Sequence, residues 1–213
     1  MFINASSINS TETNVTVVEL GIKAYASPSS IVYGNNVMIT ANISGNASAI
    51  ESVRANISFV NVSGGQYVQA YEIRDLTRKQ SFSSTEHEYN LSYNPPRPSN
   101  YSVKVTVNAS KSKWNTTSFE VWGYSKLYEI TLNKSIIYNA SSVKIYCSVK
   151  DHDTNQLIPE YNVSFFRDET FIDTKTTGGN GIATLDYFVT IGTASQNLTL
   201  KCNITNQPEL YYN

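Results

Sequence analysis

Charge is scarce in this sequence, at 15% of 213 residues, where an average soluble protein carries about 25%. The 16 Lys+Arg nearly balance the 17 Asp+Glu, leaving a net charge of −1. A chain without a basic face cannot bind nucleic acid through its phosphates. Long hydrophobic runs are also missing: none approaches the roughly 18 residues needed to cross a bilayer. Strong helix formers are few, with 12 Ala, 10 Leu and 11 Glu, which argues against a helical fold. Histidine occurs only as His87 and His152. There is no Gly-x-Ser-x-Gly elbow, phosphate loop or His-Glu-x-x-His motif, and no paired-carboxylate constellation of the kind glycosidases use. The chain reads as a non-enzyme with no cofactor, no metal and no catalytic residue.

Most of the sequence is built from β-formers and small polar residues. Val, Ile, Thr and Tyr number 17, 18, 20 and 15, the composition of an all-β protein. With so few charges, 27 Ser, 20 Thr and 23 Asn must keep the surface wet. Sixteen of the Asn stand in Asn-x-Ser/Thr triplets: Asn4, Asn9, Asn14, Asn42, Asn46, Asn56, Asn61, Asn90, Asn100, Asn108, Asn115, Asn133, Asn139, Asn162, Asn197 and Asn203. Chance would give about 5, and such triplets accept N-linked glycans in secreted proteins. Strand alternation alone also generates polar-apolar-polar triplets, since residues i and i+2 share a face. Asn is a poor strand former, however, and alternation by itself would be expected to use Thr or Lys. On either account the Asn and its hydroxyl partner face solvent while the middle residue faces the core.

The two cysteines, Cys147 and Cys202, are expected to bridge, as a lone pair does in an oxidising compartment. The chain opens Met1-Phe2-Ile3-Asn4, with neither a basic start nor an apolar signal core, so any signal peptide is expected to have been removed. The expected address is the outside of the cell.

Self-comparison reveals a repeat. Ser30-Ile31-Val32-Tyr33 returns as Ser135-Ile136-Ile137-Tyr138, and Asn56-Ile57-Ser58-Phe59 as Asn162-Val163-Ser164-Phe165 at an offset of 106. Asn100-Tyr101-Ser102-Val103-Lys104-Val105 matches Asn197-Leu198-Thr199-Leu200-Lys201-Cys202 at an offset of 97. In these matches Ala41 and Val105 hold the places of the two cysteines. Each unit is a set of short alternating strands with turn signals such as Asn94-Pro95-Pro96-Arg97-Pro98, the pattern of a β-sandwich. The stretch Thr176–Thr184 resembles the Gly-turned hairpin of Ig-like surface repeats in bacteria and archaea.

The expected fold is therefore two tandem Ig-like β-sandwiches. An N-terminal segment spans 1–21, the first sandwich 22–122 and the second 123–213. The first copy closes with Thr117-Ser118-Phe119-Glu120-Val121, whose equivalent in the second would fall beyond Asn213. Thr16-Val17-Val18-Glu19-Leu20-Gly21 resembles that closing strand in type and order. One strand too many at the start and one too few at the end suggests a donor strand carried by Thr16, Val18 and Leu20. Its acceptor groove in another copy is expected to be walled by Ile136, Tyr138, Leu198, Leu200, Cys202 and Ile204. An unpaired edge beside an open groove can be filled by an extended segment of another chain, and head-to-tail contacts give open filaments.

In composition, domain plan and triplet density the chain resembles the thread filament subunits of thermoacidophilic archaea. That resemblance implies a heavily N-glycosylated cell-surface filament, a homopolymer joined by donor strands, serving adhesion or biofilm cohesion. The competing expectation is a monomeric Ig-like adhesin, S-layer or receptor fragment acting as a binding module. Three weaker features point elsewhere. Glu86-His87-Glu88 reads as an exposed polar trio. Asp151-His152-Asp153-Thr154-Asn155 begins like a calcium loop but lacks the Gly and Glu that an EF-hand needs, so an Asx turn is expected. The 15 Tyr read as core and cross-strand packing rather than a sugar-binding face.

Overall fold

The structure, a computed structural model, describes residues 19–45, 49–63, 66–192 and 195–213. Among the described residues the regular elements are strands apart from short 3-10 stretches, one of them at Pro208–Leu210. The first nine strands form two facing sheets. One contains Gly21–Ser27 (β1), Val37–Ser44 (β3), Thr77–Ser81 (β6) and Glu86–Tyr93 (β7), in the order β1-β3-β7-β6. The other contains Ser30–Val32 (β2), Ser52–Ser63 (β4), Gln66–Asp75 (β5), Ser99–Asn108 (β8) and Lys113–Trp122 (β9), in the order β2-β9-β8-β4-β5. Four of the seven neighbouring pairs in these sheets are not consecutive in sequence, and β2 runs parallel to β9. This is the strand order of an immunoglobulin-like sandwich, with β8 and β9 in the places of strands F and G.

Strict alternation builds the core. Val37, Ile39, Ala41 and Ile43 of β3 face Ala55, Ile57 and Phe59 of β4 and Val103, Val105 and Val107 of β8, all buried. Tyr101 stacks on Phe119 at 4.8 Å, with Tyr93 edge-on to both. The Tyr101 hydroxyl donates to the Arg97 carbonyl at 2.7 Å. That bond ties the start of β8 to the turn before it, the tyrosine corner of this fold.

The second sandwich is smaller. Ser125–Leu132 (β10), Ser141–Asp151 (β11) and Ile182–Val189 (β14) form one sheet, and Asn162–Arg167 (β12), Thr170–Thr176 (β13) and Leu200–Asn203 (β15) the other. Cys147 on β11 and Cys202 on β15 form the expected disulfide between the sheets.

Four details differ from expectation. Strands β2 and β6 were not foreseen, being too short to show periodicity. His87 is buried, because the inward positions of β7 are His87, Tyr89 and Tyr93; its Nδ1 lies 3.0 Å from Arg78 Nη2 and 3.1 Å from Ser81 Oγ. Thr176–Thr184 is no hairpin within one sheet, since β13 and β14 lie in opposite sheets and the Gly turn carries the chain across. The two repeat offsets are mutually inconsistent. Ile57 pairs with Val103 in the first copy, and Phe165 with Cys202 in the second. Offsets of 106 and 97 would instead pair Phe165 with Leu198, four residues away. A slip of four residues preserves which side chains face inward, which is why the pattern survives it.

Candidate functional site

In the first sandwich, β9 has company on both sides. It pairs antiparallel with β8 from Ser99↔Val121 to Val107↔Lys113, and parallel with β2 from Ser30↔Glu120 to Val32↔Trp122. It also covers β1, where Ala24 is only 7% exposed, and the Ala24 amide donates to Asn115 Oδ1.

The second sandwich opens this lane the same way and then leaves it empty among the described residues. After β15 the chain turns over Pro208–Leu210, and Gln207 and Tyr212 exchange backbone bonds of 3.0 and 3.2 Å. Tyr211–Asn213 then run parallel to Gly123–Ser125. The Gly123 amide donates to the Tyr211 carbonyl, Asn213 to Gly123, and Ser125 to Asn213. Below Asn213, no described strand pairs with the outer edge of β15.

What lines that lane is apolar and uncovered. Ile31 is 9% exposed against Val121 in the first copy, whereas its sequence counterpart Ile136 is 88% exposed. Tyr138 is also 88% exposed, whereas its counterpart Tyr33 donates its hydroxyl to the Pro96 carbonyl. A groove of about 460 Å³ runs between this stretch and the residues leading into β15. Of the predicted wall, it brings together Ile136, Tyr138, Leu198 and Leu200. Cys202 is instead committed to the disulfide, and Ile204 packs on the second core.

Leu132, which lines the groove, and Ile130 two residues before it on the same face escaped the sequence. Ile130 and Leu132 of β10 stand opposite the buried Cys147 and Ile145, on the inward face, yet are 44% and 41% exposed. In the first copy the position opposite Ala41 is Ala24, which β9 covers. Finding Ile130 and Leu132 required knowing which neighbour strand is missing.

The predicted donor residues fall at the edge of what is described. Thr16 and Val18 lie outside the described residues. Leu20 is half-buried against the first core, and Glu19 pairs with Lys113 at 3.1 Å. Of the triplet asparagines, Asn42, Asn56, Asn100, Asn133, Asn139, Asn162, Asn197 and Asn203 are exposed. Asn61, Asn90, Asn108 and Asn115 are half-buried, and Asn4, Asn9, Asn14 and Asn46 lie outside the described residues.

The acidic loop is a turn. Asp151 is fully buried, and its Oδ1 accepts from the amides of Asp153 and Thr154 and from Thr154 Oγ1, at 3.1, 2.8 and 2.7 Å. Among the described residues, no group of three His, Cys, Asp or Glu could hold a metal ion. No described helix is long and apolar enough to cross a membrane. Burial raises the phenol pKa of Tyr33, Tyr67, Tyr101, Tyr161 and Tyr212 above the ordinary tyrosine value, and the Asp151 charge adds to the effect at Tyr212.

Fold and lane together define a protein of two tandem Ig-like sandwiches, the second with an uncovered edge. No family model matches the chain, and no curated protein matches it. Among solved structures, the chain is similar to murine CEACAM1b at 14% identity and a TM-score of 0.32, over 87% of this chain and 92% of that one. It is also similar to a chain of a mouse coronavirus receptor-binding domain complexed with its murine receptor, at 13% identity and a TM-score of 0.29, over the same shares. Similarity this slight says nothing of a shared ligand.

Proposed function

We propose that the protein is the structural subunit of an extracellular, N-glycosylated filament built from copies of itself. In this reading the N-terminal segment of one copy fills the open lane in the second sandwich of the next. The observation that carries it is the contrast between Ile31, covered by β9, and Ile136, bare beside an empty lane. An uncovered edge next to an apolar groove is a liability that proteins normally cover. A strand added there gains both ladder bonds and side-chain pockets. Burying three or four apolar side chains at roughly 1.5–3 kcal/mol each contributes about 5–12 kcal/mol before ordering costs. The disulfide and the dense Asn-x-Ser/Thr triplets fit an oxidising, extracellular setting. They also fit the thread filaments of thermoacidophilic archaea, and a role in adhesion or biofilm cohesion.

Deleting residues 1–20 tests this directly. The shortened chain should fold and stay monomeric, and normal polymerisation of the deletion would end the model. A second reading, a monomeric surface binding module, draws on Tyr71 and Ile73, which stand exposed on the free edge strand β5. Mass measurement of the native termini separates the two: a chain continuing past Asn213 into a further strand would fill its own lane and leave no site for a partner.

A further inference from the structure

Resting on the N-glycosylated reading above, we infer that the sugar on Asn56 has a seat of its own on this chain: its first rings lie over Ile73 and Tyr71 of β5. These two side chains are 69% and 66% exposed, and an exposed apolar patch on a sheet face calls for an occupant.

Strand pairing brings the acceptor to them. Asn56 stands directly opposite Ile73 across β4 and β5, and Ser58, the hydroxyl of the same triplet, directly opposite Tyr71. Such partners share a face, with Cβ atoms about 5 Å apart. The triplet therefore runs alongside the apolar pair, and Asn56 is itself exposed. β5 is the last strand of its sheet, so no described strand flanks the pair on its far side.

The other directions offer charge. Toward β8, Asn56 faces Lys104, whose ammonium sits 4.7 Å from the centre of the Trp114 ring. At the neighbouring outward position of β4, Arg54 pairs with Asp75 at 2.9 Å. A pyranose has a face of C–H groups and a rim of hydroxyls. It can cover apolar atoms while its rim stays in water, as amphipathic side chains do. A ring tethered at Asn56 meets Ile73 first and Tyr71 next, and the tether makes that contact intramolecular.

The second sandwich supplies the contrast. Asn162-Val163-Ser164 of β12 repeats Asn56-Ile57-Ser58 in sequence, but the residues opposite Asn162 and Ser164 are Thr176 and Thr174. Thr176 Oγ1 donates to Asn162 Oδ1 at 3.2 Å, and the Ser164 and Thr174 hydroxyls lie 3.3 Å apart. The same triplet thus has an apolar flank in one copy and a hydroxyl-lined flank in the other. A sugar on Asn162 projects into water, whereas one on Asn56 lies down on β5. Tyr71 and Ile73 then have their cover within the chain and need no partner protein.

Hydroxyl-radical footprinting of the native glycoprotein reads the seat directly. Oxidation of Tyr71 and Ile73 should rise several-fold in Asn56→Gln, while Trp114, beyond Lys104, should not change. Asn162→Gln should leave Tyr71 and Ile73 as they are in the native protein. Equal oxidation of the pair with and without an occupied Asn56 overturns the seat and leaves the glycosylated filament intact. An Asn56 found bare by glycopeptide mass spectrometry removes the seat together with that part of the reading. A melting cycle gives a second readout: Tyr71→Ser with Ile73→Thr should lower the melting temperature by several degrees more in the native background than in Asn56→Gln. Equal losses in both backgrounds overturn the seat.

Discussion

The Tyr101 hydroxyl donates to the Arg97 carbonyl at 2.7 Å, four residues back, and the ring beneath it stacks on Phe119. One side chain therefore fixes the turn into β8 and the aromatic heart of the first core. Tyr101→Phe keeps the ring and deletes the bond. It should cost about 1–2 kcal/mol of stability in urea unfolding, without altering filament formation.

The raised phenol pKa values predict how the protein responds to alkali. Each buried tyrosine is neutral when folded and ionises more readily when unfolded. Its contribution to stability is thus complete below the unfolded pKa of about 10 and is lost as pH rises toward the folded value. In an alkaline titration followed by absorbance at 295 nm, Tyr101, Tyr161 and Tyr212 should ionise only with unfolding. Ionisation of all fifteen in one step near pH 10, with the fold intact, would contradict this.

Replacing Cys147 and Cys202 by Ala should weaken the second sandwich by about 4 kcal/mol, the chain-entropy value for a loop of this size, and leave the first unchanged. Calorimetry of the variant should split one transition into two. Alkylation of the unreduced native protein should find no free thiol.

Sequence triplets alone do not decide which asparagines carry sugar. Asn115 lies on the inward parity of β9, half-buried, with its Oδ1 accepting from the Ala24 amide. Intact-glycopeptide mass spectrometry should find Asn115 bare while Asn42, Asn56, Asn100 and Asn162 are occupied. A glycan on Asn115 would require β1 to part from β9.

Fusing residues 11–20 after Asn213 through a short flexible linker should fill the lane from within. The product should be monomeric and its second sandwich several degrees more stable to heat. An unchanged melting temperature would mean that the segment does not fit the groove.

The parts of this fold that could be read beforehand are those governed by period two. Val37–Ile43 and Tyr101–Val107 announce their inward faces directly, and the cysteines fall on two inward positions of opposing sheets. What could not be read depends on partners. His87 sits in an alternating run of polar residues, and only its pairing with Ile43 across β3 turns it inward. Ile130 and Leu132 look like ordinary core residues until the covering strand is missing. The pairing of β12 with β15 is slipped by four residues from that of β4 with β8 without disturbing any face, so no pattern could reveal it.

Gly123 stands where the two sandwiches meet. A Cβ there would lie 2.6 Å from Pro98 and from Tyr212, and 2.9 Å from Asp151 Oδ2. Around it Trp122 packs against Tyr211, three backbone bonds hold Tyr211–Asn213, and the Tyr67 hydroxyl donates to the Pro159 carbonyl. The consequence is mechanical. Such contacts oppose rotation of one sandwich against the other, so in the proposed filament each copy would act as a single stiff segment. In a polymer of these segments, bending would concentrate at the links between copies, and the spacing of kinks along a fibre would count whole subunits rather than sandwiches.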